Sequence, residues 1–129
     1  MLDQIRAATV GSAKQFRREK VTVNGVEIEV RQPSIRERAR ILKASKAQTG
    51  DQEKIDLGEL FVTAAIACCY DPGTSQKVFT DADRESLMEQ PSGSFVDDLG
   101  AVALKLMNVD EEELRKNSER TESGKPSSP

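Results

Sequence analysis

The chain has 129 residues, with 19 Lys and Arg against 22 Asp and Glu and a formal charge of −3. That length points to one domain, or a domain with a tail. Apolar residues make up 36% and aromatics 4%, enough for one modest core. There is no His, which excludes Ser-His-Asp and Cys-His nucleophiles and every His-containing metal site. The charge is also divided. Residues 1–46 carry 11 basic and 5 acidic side chains, and residues 47–129 carry 8 and 17. The front is basic and the back is acidic.

Leu2, Ile5 and Ala8 give the first residues a short helical pattern, which Gly11-Ser12 interrupts. The N-terminus shows no signal-peptide pattern. Val21-Thr22-Val23 and Val26-Glu27-Ile28-Glu29-Val30 flank Asn24-Gly25, a strong hairpin signal because both turn positions need positive φ. A hairpin over 20–31 is expected, with Val26, Ile28 and Val30 on its buried face and Glu27 and Glu29 on its wet one. Ser34-Ile35-Arg36-Glu37 has capping-box spacing after Pro33, so a helix over 34–47 follows. Its apolar line is Ile35, Ala39 and Leu42, and Arg36, Arg40 and Lys43 share another face. Thr49-Gly50-Asp51-Gln52 reads as a polar loop.

The next helix spans 55–70, and its second half is apolar nearly all round, so other elements should surround it. The apolar run Leu60–Tyr70, broken only by Thr63, falls well short of the roughly 20 residues of a membrane span. Cys68 and Cys69 point about 100° apart on such a helix, which disfavours a disulfide between them. With apolar neighbours and no basic partner, they read as buried, inert thiols. Asp71-Pro72-Gly73 stops the helix. Thr80-Asp81-Ala82-Asp83 caps another over 80–90, with acids where the helix dipole favours them. Phe95, Leu99, Val102 and Leu106 define an amphipathic helix over 94–108, widened by Ala103 and Met107. Asp110-Glu111-Glu112-Glu113 can open a short helix with Leu114. No apolar residue occurs from Asn117 to Pro129, so that tail is expected to be disordered.

The sum is an α+β, mainly α chain: an N-terminal β-hairpin packed on four to five helices, one globular domain over 1–116 and a tail over 117–129. Acidic pairs such as Asp97-Asp98 and Asp81/Asp83 have solvation or capping roles, and no enzyme class finds support. No cofactor or metal site is expected. The soluble character predicts a cytoplasmic protein.

The order of features over 20–109 carries a family resemblance. A Cys/Tyr-Asp-Pro-Gly turn ends a helix, Lys77-Val78-Phe79 leads into Thr80-Asp81-Ala82-Asp83, and Leu87 lies one turn beyond. The last amphipathic helix closes on Ala103-Leu104-Lys105-Leu106-Met107-Asn108. With the hairpin and the Pro33-Ser34-Ile35-Arg36-Glu37 helix start, this resembles the tail assembly chaperones of long-tailed, lambda-like bacteriophages. The resemblance implies a non-enzymatic protein that binds the tape measure protein, keeps it soluble in the host cytoplasm and is absent from the finished virion. It also implies a longer product made by −1 ribosomal frameshifting at a G GGA AAG heptamer, which reads Gly-Lys. Gly124-Lys125 fits that site if the Ser123 codon is TCG, and the extended form would recruit tail-tube subunits.

For partner contact, the residues singled out are Arg36, Arg40 and Lys43 on the basic helix face, with Phe79 and Phe95 beside a groove. Ordinary core packing is the competing reading for both phenylalanines. Self-association is expected, and membrane contact is not. A small nucleic-acid-binding or regulatory protein using the basic 36–46 helix is the second reading. It is opposed by the scarcity of aromatics there and by the acidic back half.

Overall fold

The computed structural model describes residues 1–49 and 52–110, with the backbone alone along 46–49 and 52–55. The expected tail over 117–129, the Glu111–Leu114 segment and Gly124-Lys125 lie outside the described residues.

Helix α1 (Leu2–Ala8) comes first and buries none of its residues. Strands β1 (Arg18–Val23) and β2 (Val26–Arg31) form the hairpin, in register from Val23↔Val26 to Arg18↔Arg31. Asn24 and Gly25 take φ of 50° and 84°, the two left-handed positions that the Asn-Gly turn requires. Helix α2 (Ile35–Ala44) follows, with the Ser34 side chain accepting from Glu37 N at 3.1 Å. It ends three residues before the expected boundary because the chain turns into β3 (Lys46–Thr49), paired with β4 (Gln52–Ile55). Of the segment read as a polar loop, Thr49 and Gln52 are strand residues paired with each other, and Gly50 and Asp51 lie outside the described residues. The base of the β3-β4 pair is closed by Asp56 N donating to Ser45 O at 2.8 Å.

Helix α3 (Leu57–Cys68) starts at Asp56, whose side chain accepts from Glu59 N. It stops at Cys68 rather than Tyr70. Cys69–Tyr70 becomes β5, pairing antiparallel with β2 through Val30↔Cys69 and Glu29↔Tyr70. The second edge of β2 thereby satisfies its backbone groups, and the sheet order is β1-β2-β5. The turn after β5 is held by Asp71. Its carboxylate accepts from Gly73 N and the Thr74 hydroxyl, which hold it below the usual carboxylate range.

A 3₁₀ turn at Asp81–Asp83 leads into α4 (Arg84–Met88), with Thr80 N donating to Asp83 Oδ2 at 2.9 Å. Helix α5 (Phe95–Leu106) completes the described chain. Among the described residues, five α-helices, a three-stranded antiparallel sheet and the β3-β4 pair make the fold α+β and mainly α, with the first hairpin preceding most of the helices.

Helix α3 is the centre, and Leu60, Phe61, Ala64, Ala65 and Cys68 bury against α2, α5 and the sheet. A smaller cluster of Val62, Ile66, Leu87 and Val96 seats α4. Arg84 ties that side together, donating to Glu59 Oε1 at 3.0 Å and Thr63 Oγ1 at 3.1 Å. The α5 stripe is wider than expected: Val96 and Leu104 are buried along with Leu99, Ala103 and Leu106.

Two expectations for side-chain direction fail, each for a packing reason. Glu29 is buried, because β5 and its following turn cover the face that would otherwise be wet. Its carboxylate pairs with Arg31 Nε at 2.8 Å and Arg18 Nη1 at 3.6 Å, while Val26, beside the turn, is exposed. On α2 the inward line runs through Arg38, Ile41 and Ser45, so Ile35 overhangs the end of the core and is 79% exposed.

Candidate functional site

The basic face of α2 arises from helical spacing, since Arg36, Arg40 and Lys43 lie one turn apart on the outward side. All three are exposed. Arg40 Nη1 meets Glu37 Oε1 at 3.2 Å, so part of its charge is balanced on the helix itself. Arg36 and Lys43 make no ion pair among the described residues.

Other basic residues of the front half have structural work. Arg38 Nη1 donates to Met107 O at 3.4 Å, and Arg17 Nη2 to Leu106 O at 3.3 Å. Gln32 Nε2 reaches the same Leu106 carbonyl at 3.0 Å. These donors satisfy carbonyls at the end of α5, where the helix dipole also favours positive charge. Arg31 lies over the Tyr70 ring at 4.3 Å from its centroid and donates to Ser75 Oγ at 3.0 Å. Removing these residues from the basic patch leaves a smaller, better-defined one.

Phe79 and Phe95 are half-buried and both pack against the two apolar clusters. Their cluster neighbours come largely from α3, α4 and α5, and neither phenylalanine lines the groove that Arg36 borders. The nearby cleft, about 300 Å³, is lined by Phe61, Val62, Leu87, Met88 and Val96 instead.

A larger groove lies where the linker before β1 passes the start of α2. It is open, has a volume of about 1040 Å³, and brings Ala13, Lys14 and Phe16 opposite Pro33, Ile35 and Arg36. None of its lining residues is acidic. Phe16 is 43% exposed, and Ile35 stands beside it on the helix start. Arg36 therefore belongs both to the α2 face and to this groove. The sequence places Lys14 in a basic stretch and Phe16 beside it but singles out neither, nor Ile35, for partner contact, since the linker has no periodicity and Ile35 matches an apolar line. The available signal was the crowding of Lys14, Phe16, Arg17 and Arg18 just ahead of the hairpin.

The thiols are placed as inert groups. Burial pushes both Cys68 and Cys69 up to about 12, far from a nucleophilic thiolate. No helix among the described residues is long and apolar enough to cross a membrane.

The described elements thus form a hairpin-led antiparallel sheet laid against a central apolar helix, with two further helices closing the core. A solved structure with a similar fold is that of the bacteriophage HK97 tail assembly chaperone. That chain is 23% identical, with a TM-score of 0.52, and the match covers 84% of this chain and 100% of that one. The resemblance read from the order of sequence features thus extends to the fold. No family model and no curated protein matches the sequence.

Proposed function

We propose that this chain is a non-enzymatic phage tail assembly chaperone that binds the tape measure protein and keeps it soluble while the tail assembles. The observation that carries the reading is the fold match, which spans the whole of the HK97 tail assembly chaperone chain. The surface chemistry supports it. A chaperone for a long, apolar, helical client needs exposed apolar anchors within a charged, soluble surface. Phe16 and Ile35, bordered by Lys14 and Arg36, offer that combination.

In this reading residues 1–116 form the chaperone domain, and the protein works in the host cytoplasm and stays out of the finished virion. It self-associates, with its basic front meeting acidic surfaces of other copies. A −1 frameshifted form extends past Gly124-Lys125 and recruits tail-tube subunits. Arg36, Arg40 and Lys43 contribute to client or self contact.

Co-expression with the tape measure protein encoded beside it tests the function. The client should move to the soluble fraction and co-purify with the chaperone. A client that stays insoluble and uncaptured would remove the reading. Sequencing the gene tests the extended form separately, requiring TCG GGA AAG across Ser123, Gly124 and Lys125.

A further inference from the structure

Helix α1 has seven residues and buries none of them. Met1, Leu2, Ile5 and Val10 are all exposed, and Leu2 and Ile5 are one turn apart on one side. A helix this short gains little from its own hydrogen bonds, so an apolar face with nothing under it is marginal in isolation. The linker that leaves α1 is the same segment, residues 12–16, that lines one wall of the open groove. The other wall is Gln32–Arg36, ending on the first turn of α2. Two apolar surfaces, the outer side of α1 and the Phe16/Ile35 floor, are thus joined by seven residues of chain, 9–15.

Charge identifies the kind of partner. The groove contains Lys14 and Arg36 and no carboxylate, and the positive end of the α2 dipole falls at the same place. An apolar segment flanked by basic residues would be repelled there, and one flanked by Asp or Glu would be held. The groove is too open to enclose a small molecule, whereas an amphipathic helix needs only one side covered.

We infer that this groove, with α1 folding over it, is a clamp for an amphipathic helix of a partner protein whose apolar stripe is flanked by carboxylates. Phe16 and Ile35 are the anchors, Lys14 and Arg36 select the flanking charge, and α1 closes on the opposite side. The inference rests on the chaperone reading for the identity of the partner, but the recognition chemistry stands on the groove itself.

The test uses the full chain and two fluorescein-labelled synthetic peptides of about 18 residues, or five helical turns. Both carry Leu at helical stripe spacing, one with Glu and one with Lys on the flanks. Fluorescence anisotropy should show the Glu peptide binding about tenfold more tightly, with affinity falling as salt is added. K14E/R36E should reverse that preference, and F16S/I35S should weaken the Glu peptide by about tenfold or more. Both variants alter exposed side chains, and their thermal melts should match the parent. Amides of α1 should gain hydrogen-exchange protection when the Glu peptide is bound. Equal binding of the two peptides, or binding unchanged in F16S/I35S, overturns the inference. So does a parent dimer in light scattering that F16S/I35S converts to monomer while neither peptide binds, since the occupant is then a second copy. If F16S/I35S still solubilises the co-expressed tape measure protein as well as the parent, the clamp fails while the chaperone function stands.

Discussion

Gly100 on α5 lies against Phe61 on α3 so closely that a Cβ at position 100 would stand 2.8 Å from the ring carbon Cδ1 and 3.0 Å from Phe61 Cα. The ring could rotate away, but the backbone atom belongs to the central helix. Gly100 is what lets α3 and α5 approach, and the two helices hold most of the larger apolar cluster between them. Gly100→Ala would gain about 1 kcal/mol in helix propensity. The overlap with Phe61 should cost more, for a net destabilisation of about 1–2 kcal/mol. Urea unfolding checks this: the midpoint should fall with an unchanged slope. An equal or higher midpoint would mean that α5 shifts freely on α3.

The two thiols make stability depend on pH on the alkaline side. Burial raises Cys68 and Cys69 from 9.0 to about 12, so the folded chain keeps protons that the unfolded chain releases above pH 9. Their contribution is full below pH 9 and is lost as pH rises from about 9 towards 12. The slope approaches about 1.4 kcal/mol per pH unit for each thiol in the middle of that window. Urea midpoints measured from pH 8 to 10.5 should therefore decline, and the decline should be shallower in C68A/C69A. At pH 8 neither thiol should react with a disulfide reagent until denaturant is added.

Glu29 is a buried acid on the central strand, and Arg31, with 22% of its side chain exposed, is its nearest cation. Glu29→Gln keeps the shape but removes the charge that Arg31 and the more exposed Arg18 face. A loss of about 1–3 kcal/mol is expected, since the amide oxygen can still accept but the negative charge that balances two guanidinium groups is gone. Thermal unfolding of E29Q and of the E29Q/R31Q pair measures this. The double variant should lose less than the sum of its two single variants, because the second change removes a charge whose counter-charge is already gone.

Local chemistry was what the sequence made legible. Asn24-Gly25 announced the hairpin, Ser34 the start of α2, and the all-round apolar run at Leu60–Cys69 a helix enclosed by others. What escaped depends on partners distant in the chain. Cys69-Tyr70 continues an apolar helical pattern, and only the vacant edge of β2 makes it a strand. Glu29 alternates as a solvent-facing residue, and its burial follows from that same third strand. The partner surface divides the same way. Arg36, Arg38 and Arg40 look equivalent in one dimension, yet the helix turns Arg38 inward to the end of α5. Phe16 and Ile35 become neighbours of a groove only when the linker folds back past α2.

That division between inward and outward arginines allows structural and binding roles to be separated on one helix. Arg36, Arg40 and Lys43 face solvent, and the one ion pair they make among the described residues, Arg40 with Glu37, is exposed enough to contribute well under 1 kcal/mol. R36E/R40E/K43E should therefore melt close to the parent, while its capture of the co-expressed client, or its self-association, should fall by about tenfold or more. Arg38→Ala should do the opposite. Its guanidinium satisfies the Met107 carbonyl beside Met107 and Leu106, which are both buried, so its loss should cost about 1–2 kcal/mol and leave client capture intact where the protein remains folded. Melting temperature and co-purification yield, measured on both variants together, distinguish the roles. Unchanged capture in the triple variant would exclude the outward face of α2 as a contact surface, and a thermally neutral Arg38→Ala would show that the end of α5 is secured by Arg17 and Gln32 alone.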